Sequence, residues 1–366
     1  ESRGLGDVYK RQKRSCVFGY QDHNFLTIAE RFSDHLNEVS KPSIRQRLWK
    51  VRSKQVLIAQ GMHERPQVIS GNDIPGVMLS SAVRGYVNKY GVVPGRSVVI
   101  CTNNDDAYRT AIALHKSGIK VSGIVDSRKN QTAELLKITK KYNFKVFLGH
   151  VIASIHGKNA VKAVEVAPIN DDATDIASLP FKIPTDLVAM SGGWTPIVSL
   201  FSQSGGKLEW NEKQGYFKPA HHFQNELCIG GSNGTFDVQE CIDETIKKTN
   251  ETLVKLSKRK KSKFTITANY PKFSYVPRNI WHIPNGRISG KGGKAFIDFQ
   301  NDVPLSDIHL ASKEGYRSVE HLKRYTTTGM ATDQGKTSNI NALANLASIL
   351  KKPIKELVKT TLRMPY

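Results

Sequence analysis

Three places in the chain set small residues where an apolar run stops, and each could bring bare backbone to a ligand. Val56-Leu-Ile-Ala59 gives way to Gln60-Gly61, followed by His63, Glu64 and Arg65. Ser97-Val-Val-Ile-Cys101 gives way to Thr102-Asn103-Asn104-Asp105-Asp106. The third place is double: Ser191-Gly192-Gly193-Trp194 after one run, and Gly230-Gly231-Ser232-Asn233-Gly234 after another. At the carboxyl edge of an open α/β sheet, such junctions let backbone N–H groups approach a phosphate or a flavin without a side chain in the way. The competing reading at each is a tight turn or ordinary β–α packing.

The second junction stands in the place of a dinucleotide fingerprint but lacks the G-x-G-x-x-G spacing. Asn103 and Asn104 occupy the glycine places, and asparagine tolerates left-handed backbone better than most residues. Asp105 and Asp106 would repel a pyrophosphate at a helix N-terminus. Asp126 ends the following apolar run, where an acid would bind a ribose hydroxyl. This junction is read as degenerate.

Elements that must position these residues follow from periodicity. Short strands are expected at 48–52, 55–61, 97–101, 120–125, 145–148, 186–190 and 226–230. Helical spacing covers 77–90, 105–117 (with Asn104 or Asp105 as N-cap and Gly118 as stop), 131–142 and about 237–256. The helix starting near Phe236 would aim its positive end at a phosphate or a flavin carbonyl. Residues 151–166 read as a β-ribbon turning at Gly157-Lys-Asn159, and 305–359 as mainly helical. Alternating strands and helices imply a parallel sheet with right-handed crossovers. Residues 13–47 give few signals.

The order of these motifs carries a resemblance. Gly61-Met-His-Glu-Arg-Pro66 with Gly71-Asn-Asp-Ile-Pro-Gly76 resembles the crossover between the two nucleotide-binding domains of disulfide-reductase-like flavoproteins, with Gln60 where Thr is usual and Met62 where Ala is usual. Asn103-Asn-Asp-Asp106, Ser191-Gly-Gly-Trp-Thr-Pro196, Gly231-Ser-Asn-Gly234 with Asn233 in place of an acid, 295–303 and 314–339 complete a pattern similar to the alpha subunits of heterotetrameric sarcosine oxidases. The resemblance implies an α/β chain of two Rossmann-like nucleotide-binding domains followed by a small, mainly helical domain. It implies a partial outer FAD/NAD-type domain at 13–74 and 170–262, an inserted second nucleotide domain at 75–169, a helical domain at 263–350, and at 351–366 the lead-in to a folate-binding domain. It also implies noncovalent NAD, FMN at an interface with a beta subunit, FAD within that subunit, gamma and delta subunits as further partners, and tetrahydrofolate as one-carbon acceptor. The cofactor contacts would come from Gly61, His63, Glu64, Arg65, Ser191, Gly192, Gly193, Trp194, Gly230, Gly231, Asn233, Gly234 and Asp126. The reaction would be oxidation of sarcosine or a similar N-methyl amine, with an opine, hydroxyproline or amine dehydrogenase subunit as the alternative.

Composition bounds the rest. The 366 residues suffice for two or three domains, and the net charge of +22 comes from lysines and arginines scattered along the chain. The densest run, 255–263, reads as a solvated helix end, and no RNP, zinc-finger or helix-turn-helix signature accompanies it, so no nucleic acid is expected. Steering of anionic cofactors or of an acidic partner explains the charge better. No apolar stretch approaches the ~20 residues of a membrane span, and no signal-peptide layout opens the chain, so a cytoplasmic protein is expected. The four cysteines form no C-x-x-C pair, so no zinc site or cluster is expected. His221, His222 and His321 read as structural rather than as ligands or bases. Gly329 and Gly335 enclose five residues before Lys336-Thr337, rather than the four of a Walker A loop, so no triphosphate site is read there. Residues 1–12 read as a non-native scar, and the stop at Arg363-Met-Pro-Tyr366 reads as a cut before a further domain.

Overall fold

In a computed structural model, the chain is described over residues 14–36, 44–257, 265–268, 272–286 and 293–357. The expected scar, the basic tract at 258–263 and most of the expected folate-domain lead-in lie outside the described residues.

The largest sheet is parallel and five-stranded. Its strands lie side by side in the order Val77–Leu79, Leu187–Ser191, Ser97–Thr102, Lys120–Asp126, Val146–Leu148. Helices Ser80–Tyr90, Asp106–Lys116 and Ala133–Tyr142 cover one face, where Val98, Ile100, Tyr108, Leu114 and Leu187 are buried. The other face meets the hairpin His150–Gly157/Val161–Pro168, which buries Val99, Val125, Ile152 and Val164. Burial on both faces explains why these strands read as continuous apolar runs.

Two expectations change here. Strand Leu187–Ser191, expected with the strand at 226–230, pairs instead with Ser97–Thr102 and Val77–Leu79 in the five-stranded sheet. Residues 77–79 are a strand, not the start of a helix. Val77, Met78 and Leu79 face Val188, Ala189 and Met190 in register, and edge pairing of three apolar residues overrides helical spacing.

Beside this domain, Val56–Ile58 and Glu226–Cys228 form a parallel pair, and Met62–Glu64 pairs antiparallel with Trp194–Pro196. A three-stranded meander, Ser15–Gln21, Phe25–Arg31 and Gln46–Arg52, packs Tyr20 and Leu26 with Ile58, Phe201 and Cys228. Most of the meander lies in the stretch that gave few sequence signals. Its first turn places His23 and Asn24 at φ 61° and 50°, without the glycine that marks such hairpins. Helix Val238–Ser257 follows the 226–228 strand. The last module joins helices Leu305–Lys313, Val319–Thr326 and Asn339–Leu350 around Ile308, Leu322 and Leu346, and takes in Val68 from the crossover. The α/β class with a small helical C-terminal part is as expected.

Candidate cofactor site

Three strand ends converge on the segment 61–66. The Gly61 N–H donates to the Ser232 hydroxyl at 2.9 Å, and the Ile197 N–H donates to the Gly61 carbonyl at 2.9 Å. Arg65 and Gly192 close the other end, through Arg65 N–H to Gly193 O and Gly192 N–H to Arg65 O, both at 2.8 Å. Gly61, Gly192 and Gly231 therefore surround one crossover strand.

These glycines differ in what they allow. A Cβ on Gly231 would stand 3.0 Å from the Gly61 Cα and 2.8 Å from Met62 Cγ. On Gly192 it would stand 2.7 Å from the Pro66 carbonyl oxygen. Gly193, at φ +115°, would press 2.6 Å against the Arg65 guanidinium. All three serve close approach of the protein to itself. Gly61, at φ +79°, has nothing within 4 Å where its Cβ would be. Of the predicted junction glycines on the crossover and its two neighbours, it is the one with room for a ligand.

The side chains around Gly61 are held inward. Glu64 is 3% exposed; one carboxyl oxygen accepts the Ser81 N–H at 2.7 Å, and so caps helix Ser80–Tyr90 from the neighbouring domain. Burial, with help from nearby Asp106, pushes its carboxyl up to about 7. Arg65 is 2% exposed and donates to the carbonyls of Gly192 (3.0 Å) and Gly215 (2.9 Å), with its plane 4.8 Å from the Trp281 ring centroid. His63 contacts the Lys336 carbonyl through Nε2, while its Nδ1 is buried with no partner. Burial, then the positive charges of Arg65 and Lys336, hold the imidazole below its ordinary pKa, so it is neutral near pH 7. Gln60 Oε1, Glu64 Oε1 and Trp194 Nε1 also lack partners. Three of these four unpaired buried atoms sit on one two-stranded ladder, with Gln60 just before it, a concentration that calls for explanation.

The 230–234 turn is tied to the helix after it. Glu244 accepts the Gly230 N–H, the Thr235 hydroxyl and the Asn233 amide. Tyr216 donates to the Gly234 carbonyl at 3.0 Å. The helix begins at Val238, and Asp237 accepts the N–H groups of Gln239 and Glu240. The expected positive helix end is thus met by the chain's own carboxylate, because aspartate is a strong N-cap.

The inserted domain's junction is occupied from within. Asp126 is 0% exposed and accepts from the Tyr108 hydroxyl and from the backbone and guanidinium of Arg128. Its ribose role would require displacing these donors. Asp105 pairs with Arg128 and Asp106 with Arg84, so neither stands as a bare charge at the helix start. Asn103 and Asn104 are absent from the left-handed region; Asn104 instead accepts the Asp106 N–H, and its amide donates to Ser191 Oγ. The Gly329–Thr337 loop is likewise filled: Asp298 accepts the Gly329 N–H, and Asp333 accepts from Gly335 and Thr337. Among the described residues, no group of three His, Cys, Asp or Glu side chains could hold a metal, and no helix is long and apolar enough to cross a membrane.

Sequence reasoning missed Ser232, Glu244, Tyr275, Arg278 and Trp281. The last three lie in an irregular segment without periodicity, where no pattern signals which side chains turn inward.

A five-stranded parallel sheet, a second strand pair and a glycine-bearing crossover between them define the class: an oxidoreductase fold of the flavin- and dinucleotide-dependent type. The crystal structure of L-proline dehydrogenase from P. horikoshii superposes with a TM-score of 0.61 over 96% of this chain and 62% of that one, at 16% identity, which bears on fold alone. Residues 292–366 match the family model of the sarcosine oxidase A3 domain. The chain is 36% identical over 353 residues to the sarcosine oxidase alpha subunit of Rhizobium meliloti (strain 1021), covering 96% of this chain and 34% of that one. It is 34% identical over 365 residues to that of Corynebacterium sp. (strain P-1), covering 97% and 37%. The chain is thus a homologue of sarcosine oxidase alpha subunits over nearly all of its own length, and spans about a third of the length of these relatives.

Proposed function

We propose that this chain is the nucleotide-holding scaffold of a sarcosine-oxidase-like complex. The observation that carries the reading is the convergence of three strand ends on Gly61, the junction glycine left open. NAD would lie there: the open side of Gly61 would admit it without a side chain in the way, and neutral His63 and the Trp194 indole N–H would offer an acceptor and a donor beside it. Ser191, Gly192, Gly193, Gly230, Gly231, Asn233 and Gly234 shape the walls rather than touch the ligand. Buried Arg65 holds those walls together and leaves a positive charge with no carboxylate ion-paired to it. FMN would lie at an interface with a beta subunit that also carries FAD, with gamma and delta subunits and a tetrahydrofolate site completing a cytoplasmic complex.

In that complex a flavin supplies hydride acceptance from the C–N bond of sarcosine or a similar N-methyl amine. This chain positions the cofactor, and its crossover excludes water from it. Co-expression with a beta subunit of the same family, cofactor extraction and a peroxide assay on sarcosine test the reading. Recovery of NAD and flavin with peroxide formation is the expected result. A flavin-free complex that makes no peroxide would remove it.

A further inference from the structure

The carboxyl edge of the inserted sheet is where an open α/β domain takes its ligand. In this chain the segment 273–281 lies across it. Ser274 donates through both its N–H and its hydroxyl to Asp105, at 3.2 and 3.1 Å. The Arg278 N–H donates to the Asn103 carbonyl, and the Asn103 amide donates back to the Arg278 carbonyl. The Arg278 guanidinium reaches the carbonyls of Ser127 at 2.7 Å, Asn170 at 2.7 Å and Asp171 at 2.8 Å. Phe273 is buried in the core of the same domain.

The chemistry of this edge is inverted. A dinucleotide site offers N–H donors and a helix N-terminus to a pyrophosphate. Here the groups that meet the segment are the carbonyl oxygens of Asn103, Ser127, Asn170 and Asp171 and the carboxylate of Asp105, while the Asp106 N–H is already taken by Asn104. Such an edge suits a guanidinium and opposes a phosphate.

What the anchored segment carries then reaches the other site. The Tyr275 hydroxyl accepts the Trp194 N–H at 2.8 Å and donates to the Trp194 carbonyl at 3.2 Å. Its ring lies 4.7 Å from that of Phe236 and 6.0 Å from that of Tyr216. Trp281 backs the Arg65 guanidinium, and Asn345 of the helical module donates to the Trp281 carbonyl at 3.0 Å.

We infer that the inserted domain takes Arg278 and its flanking segment as a built-in ligand instead of a dinucleotide, and that Asn103, Asp105 and Arg278 are positioning residues which set Tyr275 and Trp281 against Trp194 and Arg65. The closed edge stands on its own; the effect on nucleotide binding rests on the function proposed above.

Hydrogen exchange on the assembled complex tests both parts, with NAD as the probe. Arg278→Met is expected to speed exchange of the 274–281 amides by about tenfold or more, leaving Val98–Cys101 unchanged. Arg278→Lys, which keeps a cation for the carbonyls, is expected to restore most of the protection and the native Trp281 emission. Ser274→Ala should move the same amides less, which keeps the test decisive if the Met variant does not fold. In the native protein, saturating NAD is expected to leave 103–106 and 127–128 unaltered. Native-like exchange at 274–281 in both Arg278→Met and Ser274→Ala would overturn the inference. So would NAD that protects 103–106 while loosening 274–281. NAD that protects neither edge would agree with the closed edge and count against the cofactor reading alone.

Discussion

Glu64 is a carboxyl group whose burial makes it a liability above neutral pH. Its folded pKa of about 7 lies above the ordinary 4.5, so the folded state favours the protonated form. The stability this contributes is fully present below the ordinary value and is lost as pH rises through about 7. Glu64→Gln keeps an acceptor for the Ser81 N–H but cannot ionise. Between about pH 5 and pH 8 its melting temperature should fall less than that of the native protein, by an amount corresponding to roughly 3 kcal/mol or less; equal slopes in both proteins would place the titration elsewhere. A pair of glycines separates two kinds of backbone demand. Gly193→Ala must put a Cβ 2.6 Å from the Arg65 guanidinium at φ +115°, and is expected to cost about 2 kcal/mol or more in denaturant unfolding. Gly85→Ala, inside helix Ser80–Tyr90 with open space around its Cβ, is expected to stabilise by about 1 kcal/mol in the same measurement. The types at 63–65 were legible in the sequence. Their partners were not: Arg65 finds the carbonyls of Gly192 and Gly215, residues far along the chain with no charge to advertise the pairing.

At the scale of elements, the 230–235 turn depends on one side chain from the next helix. Glu244→Ala removes acceptors for Gly230, Asn233 and Thr235 together. Losing them should cost about 2 kcal/mol in stability and raise amide exchange across 230–235; unchanged exchange there would show that the turn holds itself. The strands of the parallel sheet were readable because burial on both faces leaves unbroken runs such as Val98–Cys101. The turns and irregular segments were not. His23 and Asn24 turn a hairpin without glycine, Val77–Leu79 obeys its sheet neighbours rather than its helical spacing, and the 272–286 segment is ordered by distant acceptors. Expectations for Asn104 and the 238–257 helix start shifted for one reason: the short polar side chains of Asn104 and Asp237 accept neighbouring backbone N–H groups, which no ligand then needs to satisfy.

For the whole molecule, a net charge of +22 has a kinetic consequence. Association with an anionic cofactor or an acidic partner subunit should slow steeply as salt rises from about 0.02 to 0.5 M, measured by stopped flow; a salt-independent rate would remove steering as the reason for the charge. The motif order along the chain carried the family, and the α/β class followed from alternating strands and helices. Which sheet Leu187–Ser191 joins was settled only by three-dimensional pairing. The convergence on Gly61 is tested most directly by equilibrium dialysis of NAD against the assembled complex, comparing native protein with Gly61→Ala. One NAD per chain is expected in the native complex, with affinity at least about tenfold weaker in the variant while its melting temperature stays within a few degrees. Equal NAD affinity in the two proteins would contradict the cradle at Gly61.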